Sequence, residues 1–86
     1  MDWSWKVGVL RPGTENVAWV RTGVGADWRA SRAEVVAALT ELVGREGRQE
    51  YRLEIGDVVG LVNPGLDENG NVDLTDLGSA LPLARE

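Results

Sequence analysis

The sequence predicts an α+β fold: a small two-layer domain in which an antiparallel sheet, laid down in the order β-β-α-β-β, carries one amphipathic helix on one face. Three observations predict it. Apolar residues recur with a period of two at Trp3, Trp5, Val7 and Val9, and again at Tyr51, Leu53 and Ile55, the spacing of half-buried strands. Between those stretches, Val35, Val36, Leu39, Leu42 and Val43 fall at spacings of three and four, which places them in one stripe along a helix. The third is size, since 86 residues supply one modest core and not two. Residues 1–86 are therefore read as one domain.

Each element has its own local cause. Residues 1–24 read as a hairpin. Trp3 to Leu10 forms the first strand, and Arg11-Pro12-Gly13-Thr14-Glu15-Asn16 turns the chain, with proline presetting one dihedral. Val17 to Thr22 returns as the second strand. The helix is predicted over residues 31–44. Ser31 followed by Glu34 has the spacing of a capping box, and Gly44 sits where helices often end. Residues 50–62 are one strand bent at Gly56 or a hairpin turning at Gly56-Asp57; periodicity alone leaves both open. Asn63-Pro64-Gly65 ends that segment. Residues 63–86 form an acidic loop and a C-terminal appendage in which Leu77 to Leu83 has the material for one helical turn.

Composition narrows the chemistry. The chain has neither cysteine nor histidine. Disulfides, thiolate metal sites, ordinary zinc sites and histidine-assisted nucleophilic catalysis are thereby excluded. The remaining catalytic side chains (carboxylates, Lys6, Tyr51 and the arginines) are not gathered at suggestive spacing, so the expectation is a protein that is not an enzyme and needs no cofactor. No run approaches the ~20 apolar residues that span a bilayer. Met1-Asp2-Trp3-Ser4-Trp5-Lys6 lacks a basic leader and an apolar core, so a cytoplasmic location is expected. Arginine far outnumbers lysine and phenylalanine is absent, a bias that points to a GC-rich bacterial or phage gene.

Charge is uneven. The formal net charge is −5, and from Leu53 to Ala84 there is no lysine or arginine. Glu54, Asp57, Asp67, Glu68, Asp73 and Asp76 all fall in that stretch. Such a surface repels phosphates, which disfavours nucleic acid, and it suits a basic protein partner or a cation.

The segment Asp67 to Asp76 is where a cation would be held. With Gly70 at the sixth place of a twelve-residue calcium loop, Asp67, Asn69, Asn71, Asp73 and Asp76 fall at ligand positions. Its tail, Asn71-Val72-Asp73-Leu74-Thr75-Asp76-Leu77, resembles part of a dockerin calcium loop. Gly65 stands where that pattern has its first aspartate, and Asn63-Pro64-Gly65 is poor material for the helix that should precede it. Asn69-Gly70 is equally a strong turn signal. The preferred reading is a turn with a solvated acidic face and no metal.

Four tryptophans are many for a chain this short, and they are either core or hot spots for a partner. Trp5 and Trp19 are expected to pair across the hairpin in the core. Trp3, near the chain end, and Trp28, ahead of the helix, are expected to be partly exposed. The function expected is a small acidic, non-catalytic interaction protein. Glu68, Asp73, Asp76, Trp28 and Trp3 would form its surface for a protein partner of basic character. The alternative is a structural subunit that assembles with copies of itself, and a further alternative is a weak calcium-binding module that uses the 67–76 loop.

Overall fold

A computed structural model describes residues 2–73 and 77–81. The chain forms strand β1 (Trp3–Leu10), strand β2 (Ala18–Gly25), helix α1 (Trp28–Glu46), strand β3 (Glu50–Ile55) and strand β4 (Val58–Val62), followed by a 3-10 turn at Leu77–Ala80. The sheet is antiparallel throughout, in the order β2-β1-β3-β4. Helix α1 covers one face. The protein is thus a two-layer α+β domain of the predicted type.

Alternation does the work expected of it. Trp5, Val7 and Val9 of β1 and Tyr51, Leu53 and Ile55 of β3 point to the helix and are buried. They meet Val35, Ala38, Leu39, Leu42 and Val43, which lie on one face of α1. Leu77 and Leu81 close the core beyond the strands. Nearby, Arg32 Nη2 donates to the Gly78 carbonyl at 2.9 Å, tying the 3-10 turn to the helix.

The bend at Gly56 resolves into a hairpin. Ile55 pairs with Val58 across Gly56-Asp57, and Gly56 takes φ +58°, a left-handed value that L side chains avoid. The ring of Trp3 sits where a Gly56 Cβ would be, 2.9 Å away, so the turn requires glycine twice over.

The helix is longer than residues 31–44 and is capped differently. It starts at Trp28, with Asp27 as the N-cap accepting from the Ala30 amide at 2.8 Å, and it runs through Gly44 to Glu46. Gly47, at φ +79°, closes it by donating to the Val43 carbonyl at 2.8 Å. Ser31 is therefore no cap. It is fully buried inside the first turn, and its hydroxyl donates to the Trp3 carbonyl at 3.3 Å. Gly25 makes the close approach possible, because a Cβ there would lie 2.1 Å from Ser31 Oγ. Asp27 caps the helix four residues ahead of Ser31, and the apolar stripe then extends back to Trp28.

Candidate functional site

The face of the sheet away from α1 has no second layer among the described residues. The residues of β1 and β3 that alternate with the core, Ser4, Lys6, Arg52 and Glu54, run along its middle. Its two flanks are apolar: Trp19 and Val24 on β2, Val59 and Leu61 on β4. Their exposures of 38%, 58%, 56% and 53% respectively are high for large hydrophobic side chains.

Trp19 arrives on this face through a β-bulge. Val7 is opposite Arg21 but Gly8 is opposite Trp19, so Val20 is an extra residue in β2. A bulge switches the parity of a strand. Val20 and Ala18 pack against the core, Arg21 reaches Glu41 on the helix at 3.4 Å, and Trp19 turns to the open face. Gly8 gives it room, since a Cβ at Gly8 would lie 2.8 Å from the indole. The expected Trp5–Trp19 pair does not form, because Trp5 is opposite Gly23 and on the other face. Val17 to Val20 is apolar at every position, which hid the parity change. The readable signal was Gly8, the small neighbour a surface indole needs.

Polar contacts fix the middle of the face. Lys6 Nζ lies 4.2 Å from the centre of the Trp19 ring, an arrangement in which the cation meets the negative face of the π system. The same amine is 3.9 Å from Glu54. Beside them is a shallow depression of about 520 Å³ lined by Ser4, Lys6, Thr22, Gly23, Val24 and Glu54 among others. A lining that combines the apolar Val24 with the paired Lys6 and Glu54 suits a single inserted side chain.

No family model, curated protein or solved structure matches this chain. The chemistry of the face therefore stands on its residues alone.

The residues singled out from sequence fall elsewhere. Trp28 is buried at 5% exposure, which corrects the expectation of an exposed loop residue: it is the first residue of α1 and lies on the buried stripe. Trp3, half-buried, meets it edge-on with ring centres 5.8 Å apart, so these two form a packing pair. Glu68 is exposed and Asp73 partly so; Asp76 lies outside the described residues. The 67–73 loop is a tight turn pinned by a Leu66–Val72 bridge. Asp67 Oδ1 accepts from the amides of Asn69 and Asn71 at 2.9 and 3.0 Å, an Asx-type arrangement. Among the described residues no three carboxylates converge as metal ligands would, and no helix is long and apolar enough to cross a membrane.

The ionisable groups with shifted protonation lie away from this face. Arg11 donates to both carboxylate oxygens of Glu46, at 3.1 and 2.7 Å. That hydrogen bonding holds the Glu46 carboxyl below the usual range and ties the β1–β2 turn to the end of α1. Burial pushes the Tyr51 hydroxyl up to about 12, and it donates to the Gly47 carbonyl at 2.5 Å. Both interactions hold the two layers together.

Proposed function

We propose that the protein is a small non-catalytic binding module that engages a protein partner through the open face of its sheet. The observation that carries this reading is the set of four half-exposed apolar side chains, Trp19, Val24, Val59 and Leu61, on a face that the helix leaves uncovered. Tryptophan is among the residues most enriched at binding hot spots. Here Trp19 is held by Lys6, so little order is lost on binding. The adjacent depression gives the partner a place to insert a side chain.

Charge favours a basic partner. The acidic stretch, with Glu68, Asp73 and Asp76, contributes long-range attraction that raises the association rate, while the apolar face supplies the short-range contact. A cytoplasmic setting is consistent with the absence of cysteine.

The test is capture from native-host lysate on immobilised protein, quantified by mass spectrometry. Trp19→Glu should retain the fold and lose the partner. Neutral isosteres at Glu68, Asp73 and Asp76 should keep the partner but slow its association and flatten the salt dependence. Equal capture by wild type and Trp19→Glu would contradict the assignment of the face.

A further inference from the structure

The two edges of the sheet are built differently. Edge strands expose unpaired backbone groups, and proteins usually blunt them with charge, proline or a bulge. β2 follows that rule, with a bulge at Val20 and a charge at Arg21. β4 does not. Its sequence is Val58-Val59-Gly60-Leu61-Val62, with no charge, no proline and a regular pairing register to β3.

The direction of its free backbone groups follows from the ladder. The Gly56 amide donates to the Ser4 carbonyl at 2.8 Å, so alternate residues of β3, counted back from Gly56, face β1. Ile55, Leu53 and Tyr51 then face β4, where they pair with Val58, Gly60 and Val62. The N–H and C=O of Val59 and Leu61 consequently point outward from the sheet. No strand pairs with them among the described residues.

We infer that β4 pairs antiparallel with β4 of a second copy of this chain, about a two-fold axis at Gly60. In that register Val59 stands opposite Leu61 of the second copy and Leu61 opposite its Val59. Each is the outward-facing residue that a hydrogen-bonded pair requires. The strand reads nearly the same in both directions about Gly60, so Val58 meets Val62 on the opposite face and no apolar residue faces a charge. One row further in, Leu61 neighbours Arg52 and Val59 neighbours Glu54. Each row across the axis therefore runs Arg52, Leu61, then Val59 and Glu54 of the second copy, with opposite charges flanking an apolar centre. Self-complementarity of this kind is what a two-fold interface demands. The result is one continuous sheet that doubles the open face. This goes beyond the partner-binding reading and does not depend on it.

Sedimentation equilibrium of the full chain, followed across the micromolar to millimolar range, tests the inference. Wild type should pass from 9.3 kDa to twice that mass, with the Val59 and Leu61 amides becoming slower to exchange as concentration rises. Leu61→Pro removes an outward N–H without touching the β3 ladder, and it should weaken association by at least about tenfold. Should that variant fail to fold, Leu61→Lys, which keeps the backbone and adds an edge charge, must give the same loss. Trp19→Glu should leave the dimer intact, which separates this result from the binding of a partner. A monomer at all concentrations, or association untouched by Leu61→Lys, overturns the inference. Protection of Val59 and Leu61 only when a different protein is added would overturn it too, in favour of strand addition by that protein.

Discussion

Tyr51 shows how a single residue in this fold couples packing to protonation. Its ring is fully buried between the layers and its hydroxyl is bonded to the backbone where α1 ends. Folding favours the neutral phenol. The stability this provides is complete below the ordinary value of 10.0 and is lost as pH rises toward about 12. Tyr51→Phe should cost about 1 kcal/mol at neutral pH through the lost hydrogen bond. Denaturant titrations of wild type and variant should then converge as pH is raised through that window; parallel curves would show that the hydroxyl is not held as described. At this scale the sequence was legible where parity was unbroken. Trp5, Val7, Val9, Tyr51, Leu53 and Ile55 all face the core as their alternation implies. Trp19 was not legible from its own strand, because one extra residue in β2 reverses its face and the apolar run does not mark where that happens; Gly8 on the neighbouring strand was the one signal.

Among the elements, the helix was plain in its existence and obscure at its start. The stripe from Val35 to Val43 is unmistakable, but two oxygen-bearing residues, Asp27 and Ser31, compete for the cap. The structure chooses Asp27 because this puts Trp28 and Ser31 on the buried side, where Gly25 leaves space for the serine. The choice is measurable. Asp27→Ala should lower stability by about 0.5–2 kcal/mol, whereas Glu34→Ala, exposed and without a capping role, should change it by less than about 0.5 kcal/mol. The reverse ranking would restore the box at Ser31 and Glu34. Leu39, wholly buried in the middle of α1, should cost about 2–5 kcal/mol as alanine. The 67–73 loop shows the opposite ambiguity: turn chemistry and calcium chemistry use the same residue types. Asp67 is committed to the Asn69 and Asn71 amides, and Gly70 takes φ +81°, as a turn requires. Millimolar calcium should accordingly leave the melting temperature unchanged. A rise that disappears in Asp73→Asn would promote the loop to a cation site.

At the scale of the whole molecule, one α-helix for four strands among the described residues leaves an imbalance. A sheet has two faces, and α1 with the 3-10 turn covers one of them. Among the described residues nothing covers the other, and its apolar flanks are the ground for the partner proposed above. The periodicities pointed to the two layers, but the nature of the open face was hidden, because it is assembled from residues distant in sequence and includes Trp19. The acidic stretch was visible in the sequence and is the weaker guide, since solvated charge contributes to encounter more than to contact. We propose accordingly that the binding surface lies on the open face of the sheet, with the helix turned away from it. Backbone and indole NMR shifts of the labelled protein, followed while the captured partner is added, test that claim most directly. The Trp19 indole and the amides around Val24, Val59 and Leu61 should shift or broaden together, while the outer helix face at Ala33, Ala37 and Glu41 stays still. Perturbations that gather on the helix and spare Trp19 would contradict it.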